Sequence, residues 1–217
     1  STPWAPTTPA STTAAPVTTA DAIAGAAEVI DDFAAFGVTA FTTGRAAGTF
    51  GTHGPDPVGE VMARWHGLAS LATGHGAQRL ATCPQVHGAH VHVHRPGWEG
   101  WLRAAPGDGH ASVERGTMMA VTVADCVPVF LAHPSGAAAV LHSGWKGTAG
   151  RIVEQGIAAL AHRGIPAGEL RMHLGPAICG KCYEVSPAVY AALTGRTVTW
   201  TISRSRLSVT STAQRRT

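Results

Sequence analysis

Charge is scarce in this sequence. Only 13% of the 217 residues are Asp, Glu, Lys or Arg, about half the ~25% usual for soluble domains, so Gly, Ser, Thr and His must carry much of the surface. Acid is missing from both ends. All thirteen acidic residues lie between Asp21 and Glu184, and Arg196, Arg204, Arg206, Arg215 and Arg216 follow them. The formal charge of +3 is therefore a property of the C-terminal stretch: without those five arginines, 11 basic residues face 13 acidic ones, a balance of −2. A globally basic, nucleic-acid-binding surface is not indicated. No run is long and apolar enough to read as a membrane span. The first twenty residues have neither a basic start nor an apolar stretch, so nothing resembles a secretory signal, and a cytoplasmic protein is expected. Cysteine is limited to Cys83, Cys126, Cys179 and Cys182. In that compartment they are expected as reduced thiols, open to metal or catalysis, rather than as disulfides. No internal repeat is found.

What remains is an apolar, histidine-rich chain. Hydrophobic residues make up 45%, enough for a sizeable core, and there are twelve histidines, the side chain most used as a metal ligand and general base. Residues 1–20, almost entirely Ser, Thr, Pro and Ala, read as a disordered arm. Residues 21–196 read as the domain, and 197–217 as an atypical basic tail. Within the domain, 21–36 has a weak helical period, and Val38–Thr43 reads as a strand. Residues 44–57 form a Gly-rich loop. Val58–Leu71 reads as a helix with Val61, Met62, Trp65 and Leu68 on one stripe. Thr82–His94 and Met119–Leu131 are β-rich, the latter interrupted at Asp125–Cys126 and Pro128. Ala137–His142 reads as a strand, Arg151–Arg163 as a helix ended by Gly164 and Pro166, and Leu170–Leu174 as a short strand. Hairpin-like strands mixed with helical crossovers predict an α/β or α+β class.

Three short segments place a potential metal ligand where a predicted strand ends or breaks: Gln85–Gly88 with His87, Ala124–Pro128 with Cys126, and His142–Gly147 with His142. Strand ends face a common edge of a sheet, so three of them can converge. Two imidazoles and a thiolate are a borderline-soft set suited to Zn²⁺, with Cu²⁺ as the alternative, leaving a fourth position open. Any one of the three, taken alone, reads more readily as a buried core residue. The loop after His142, with Gly144, Lys146, Gly147 and Thr148, joins a strand to a helix and suits an anion such as phosphate. A plain helix-entry loop is the alternative, and its spacing is not that of a Walker loop. His90, His92 and His94 alternate onto one strand face, read as a solvated face rather than a second metal patch. Cys179 and Cys182 form a lone C-x-x-C, read as a structural loop. Cys83 reads as a buried hydrophobe.

QVHG, ADCVPV, HSGWKGTAGRIVE and HLGPAICGKCYEVSP, in that order, resemble the laccase-domain family, whose bacterial members are also described as polyphenol oxidases or peptidoglycan editing factors. TTGRAAGTFG and VMARW resemble its N-terminal portion. The resemblance covers about residues 37–195. It implies an α+β fold, a multilayer α/β/β/α sandwich with mixed β-sheets, related to a cysteine-hydrolase sandwich. It implies a metal site on His87, Cys126 and His142, and an active-site arginine at Arg64. It implies a purine nucleoside enzyme: phosphorolysis of adenosine, inosine and methylthioadenosine, and adenosine deamination, with small-molecule partners only. Copper-dependent phenol oxidation is the older description, and a hydrolase using a Cys–His pair is a further alternative. Two segments depart from the family pattern. The asparagine usual near GTFGTHG is not evident. After Gly195 the sequence also lacks the Cys and Phe-Ser-His-Arg segment that family members place beside the site. The tail is expected to give at most one edge strand, Thr197–Ile202, and to contribute little to the core.

Overall fold

A computed structural model of the chain describes residues 18–194, 198–203 and 206–211. Of the arm expected to be disordered, residues 1–17 lie outside those described, and helix α1 (Thr19–Gly25) begins within its last residues. Thr18 starts that helix: its hydroxyl accepts the Asp21 N–H, and the Asp21 carboxylate accepts the Thr18 N–H, a reciprocal capping box. The weak period over 21–36 does not make one helix. It divides into α1, strand β1 (Ala27–Val29) and a 3-10 helix over Asp31–Phe36. Ile23 and Phe33 bury in two different cores, so tertiary packing splits the segment. Strand β2 (Phe41–Thr43) pairs antiparallel with β1. It is shorter than expected because Val38 and Ala40 pack around Phe33 instead.

Helix α2 (Val58–Gly74) forms where its stripe predicts. Val61, Trp65 and Leu68 are buried with Ile23 of α1 and Leu80, each such side chain contributing about 1.5–3 kcal/mol. Seven strands follow: β3 (Arg79–Thr82), β4 (Val91–His94), β5 (Gly100–Arg103), β6 (Gly109–Ser112), β7 (Thr117–Met119), β8 (Val127–Ala132) and β9 (Ala138–Ser143). The two β-rich spans of the sequence are each cut by a loop, 83–90 and 120–126, and Pro128 lies inside β8 rather than interrupting it. Then come α3 (Trp145–Ala149), α4 (Ile152–Ala161), β10 (Arg171–Leu174) and α5 (Pro187–Thr194). Strands β11 (Val198–Ser203) and β12 (Arg206–Ser211) pair as an antiparallel hairpin, where one edge strand was expected.

The strands form two principal sheets. One has three parallel strands in the order β5-β3-β7; the other has five, β10-β8-β9-β6-β4, antiparallel except for the β6–β4 pair. Val129, Leu131 and Leu141 of the larger sheet pack against Ile152, Val153 and Leu160 of α4. α1 and α2 cover the smaller sheet. The layering is the α/β/β/α sandwich. No helix among the described residues is long and apolar enough to cross a membrane.

The expectation of a solvated face for His90, His92 and His94 holds for His90, which is exposed, but not for His94, while His92 is half-buried. His94 is 5% exposed and His110 fully buried. His94 Nε2 and His110 Nδ1 share a hydrogen bond of 2.8 Å. Burial, followed by the neighbouring histidines, lowers His94 to about 4 and His110 to about 3. Both stay neutral in the fold at pH values where the unfolded chain, titrating near 6.5, is protonated. The unfolded state then binds more protons, so stability is complete above about pH 6.5 and is lost as pH falls toward about 4. The loss is about 1.4 kcal/mol per pH unit for each histidine. Urea unfolding of chelator-treated protein between pH 7.5 and 4.5 should show this slope, and His94→Gln/His110→Gln should flatten it. An unchanged slope in the double variant would count against the buried pair as its source.

Candidate metal centre

His87, Cys126 and His142 converge. One ligand atom from each lies within 4.8 Å of the others, with His142 buried, Cys126 half-buried and His87 exposed. The two imidazoles meet edge to face, their centroids 4.8 Å apart. His142 lies in β9 opposite Pro128, Cys126 immediately precedes β8, and His87 sits in the 83–90 loop. Adjacent strands thus present two ligands, and a loop brings the third.

One buried carboxylate organises this geometry. Asp108, fully buried just before β6, accepts the backbone N–H groups of Val86 (3.2 Å), His87 (2.9 Å) and Gly88 (2.6 Å). Its Oδ1 also pairs with His142 Nδ1 at 2.8 Å, and its carbonyl accepts the His142 N–H at 2.7 Å. With His142 Nδ1–H donating to Asp108, the Nε2 lone pair is left for a metal, the carboxylate–histidine arrangement typical of metal sites. The nest of amides also holds His87 at φ +59°, a left-handed conformation that non-glycine residues adopt at a cost of about 1–2 kcal/mol.

A second clamp joins the His87 and Cys126 loops. Gln85 Nε2 donates to the Thr122 carbonyl at 2.8 Å, and its Oε1 accepts the Thr122 N–H at 2.7 Å and hydroxyl at 3.0 Å. Burial, then the carboxylates of Asp125 and Asp108, push the Cys126 thiol up from its ordinary range. A dication beside it would favour the thiolate instead. The donor set, the free Nε2 and the convergence all fit one zinc or copper ion.

The remaining site residues divide. Gly144 lies against the ligands, since a Cβ there would come within 3.0 Å of Cys126 Sγ and 3.1 Å of His87 Cδ2. At Gly147 a Cβ would come within 2.9 Å of the Gly88 carbonyl, so its lack of a side chain lets α3 close on the His87 loop. The Thr148 hydroxyl donates to the Gly144 carbonyl and pairs with Ser143 Oγ, both at 2.9 Å. Lys146 Nζ lies 5.6 Å from the Trp145 ring centroid. Arg64 is held by Asp56 at 2.6 Å, Glu60 at 3.3 Å and the Thr49 carbonyl at 3.0 Å. Cys83 is half-buried rather than a buried hydrophobe. Its thiol donates to the Gly107 carbonyl at 3.0 Å, and burial raises it to about 11. Asp108 was not read from the sequence as a site residue. The available signal was an acid set between Gly107 and Gly109 in a chain with little charge.

Fold and site together define a layered α+β protein with a two-histidine, one-cysteine centre at the ends of its strands. Residues 42–214 match the family described as multi-copper polyphenol oxidoreductase laccase, and the chain belongs to it. The match runs through the C-terminal stretch read as atypical. The chain is 37% identical over 140 residues to a purine nucleoside phosphorylase of Deinococcus radiodurans, covering 63% of this chain and 51% of that protein. It is 41% identical over 137 residues to one of Streptomyces coelicolor, covering 62% and 55%. The crystal structure of YlmD from Geobacillus stearothermophilus superposes with a TM-score of 0.58 at 30% identity, covering 67% of this chain and 57% of that one. The chain spans about half the length of the two relatives.

Proposed function

We propose that this site acts on purine nucleosides, by phosphorolysis of adenosine, inosine or methylthioadenosine and by deamination of adenosine. The convergence of His87, Cys126 and His142, in a chain similar to two purine nucleoside phosphorylases, carries this reading. These three residues would hold Zn²⁺, or Cu²⁺, and the bound ion would supply Lewis-acid activation at neutral pH. By accepting from His142 Nδ1–H, Asp108 would leave the Nε2 lone pair for the ion. Lys146 and Arg64 are the cations proposed to hold phosphate, with Gly144, Gly147 and Thr148 shaping the loop around it. Arg64 would exchange Asp56 or Glu60 for the anion. In phosphorolysis a phosphate oxygen bonds to the anomeric carbon as the glycosidic C–N bond breaks, and the purine leaves with the electron pair and takes up a proton. Positive charge on the phosphate aligns the attack, and a donor to the purine stabilises the departing charge. Copper-dependent phenol oxidation is less favoured, because one three-ligand group among the described residues is less than the cluster that multi-copper oxygen reduction uses.

Purified protein is to be supplied with adenosine or inosine, with and without phosphate, with chelator and with zinc restored. The expected result is phosphate-dependent release of adenine or hypoxanthine with ribose 1-phosphate, together with inosine and ammonia from adenosine. Chelation should lower both more than tenfold, and added zinc should restore them. Turnover that iodoacetamide abolishes and chelation leaves intact would make Cys126 a hydrolase nucleophile with a histidine base. Oxygen uptake with phenols, and no nucleoside turnover, would return the reading to an oxidase.

A further inference from the structure

The loop between β10 and α5 carries two thiols that the metal centre does not use. Cys179 and Cys182 are both exposed, and their sulfurs share a hydrogen bond of 2.9 Å. The Cys182 N–H donates to the Cys179 carbonyl at 2.9 Å, closing a turn around Gly180 and Lys181. Such a turn keeps its end Cα atoms within about 7 Å, close to the span a disulfide bridges. Immediately before Cys179 the same loop is fastened beside the centre, where the Ile178 N–H donates to the Asp125 carbonyl at 3.1 Å. Asp125 is the neighbour of Cys126.

We propose that Cys179 and Cys182 form a reversible dithiol–disulfide pair whose state is passed to Cys126 through Ile178 and Asp125. Cys179 is the attacking sulfur: the hydrogen bond from Cys182, then the backbone N–H groups of Lys181 and Cys182, hold its thiol below the ordinary range, and Cys182 is correspondingly raised. The co-reactant is a low-molecular-weight disulfide. The Cys179 thiolate attacks one of its sulfurs, forming a mixed disulfide and expelling one thiolate. Cys182 then loses its proton and attacks the Cys179 sulfur, expelling the second. Two protein sulfurs are oxidised, and the reagent is reduced to two thiols. Closure draws the sulfurs from 2.9 Å to the ~2.05 Å of a disulfide bond. It tightens the turn, strains the Ile178–Asp125 hydrogen bond and loosens the Cys126 loop.

The test uses the full chain, treated with chelator so that it does not depend on the metal reading, and titrated with oxidised glutathione. The expected product has lost two of its four thiols. Trypsin cuts after Lys181, so the two resulting peptides should remain joined only in the oxidised protein and separate with dithiothreitol. Alkylation of Cys126 by iodoacetamide, followed by peptide mass, should quicken several-fold on oxidation. Cys179→Ser/Cys182→Ser should keep Cys126 at its unoxidised rate. Four thiols surviving, a stable glutathione adduct in place of the linked peptides, or an unchanged Cys126 rate in the linked protein would each overturn the proposal. So would a double variant that speeds up equally. A protein that binds no zinc in either state would sink the metal reading and leave this result standing.

Discussion

Asp108→Asn should lower zinc affinity by roughly 10- to 100-fold, the usual effect of removing a partner that orients a metal ligand. The substitution is nearly isosteric, but it puts an amide NH₂ where an oxygen accepts. Oδ1 serves His142 Nδ1 and the His87 N–H; Oδ2 serves the Val86 and Gly88 N–H groups. Whichever way the asparagine turns, two donors face another donor. Each unsatisfied group in a fully buried position costs about 1–3 kcal/mol, so the fold should also weaken by about 3 kcal/mol. If His142 escapes by moving its proton to Nε2, it loses the lone pair needed for the ion. Competition with a chromophoric chelator measures the affinity, and urea unfolding the stability. Wild-type zinc affinity in the variant would remove Asp108 from the centre.

For Gly144→Ala the two readouts should part company. Gly144 has φ −77° and ψ 174°, open to any residue, so alanine meets no backbone penalty and restricts the unfolded chain by about 0.4–1 kcal/mol. Stability should stay level or rise slightly. The new methyl, however, would sit 3.0 Å from Cys126 Sγ and 3.1 Å from His87 Cδ2, and both ligands must give way by a few tenths of an ångström. Metal–ligand distances tolerate only about 0.2 Å. Zinc affinity should therefore fall about tenfold or more at unchanged melting temperature. Normal zinc binding, or a collapse in stability, would each contradict this account of Gly144.

The convergence of His87, Cys126 and His142 was legible because each stands beside a local signal: a strand end, a β-rich run broken by Asp125–Cys126, a Gly-rich turn after His142. The Val61–Trp65–Leu68 stripe gave α2 for the same reason, since its period is contained in the segment itself. Asp108 was not legible, because its partners lie 20 to 34 positions away along the chain and no spacing rule connects them. β5 (GWLR) and β6 (GHAS) escaped notice for want of β-branched residues; they are held by their neighbours in the sheets. The alternation of His90, His92 and His94 told which side chains share a face, but not how far each is covered: His94 is closed off against His110 of β6, while His90 stays exposed. β12 is likewise a strand by virtue of its pairing with β11, not of its own pattern.

The amide nest around Asp108 and the Gln85–Thr122 clamp bear on what happens when metal is scarce. In a zinc finger the ligands are scattered until the ion gathers them, so starvation of the metal unfolds the chain. Here hydrogen bonds within the chain, to Asp108 and between Gln85 and Thr122, set where the donors stand. If the proposed zinc site is right, a chain organised this way would stay folded without its ion, escape the machinery that destroys unfolded chains, and regain activity when zinc returns. Metal supply would then set how many copies are active at a given moment, while the number of copies present is decided elsewhere.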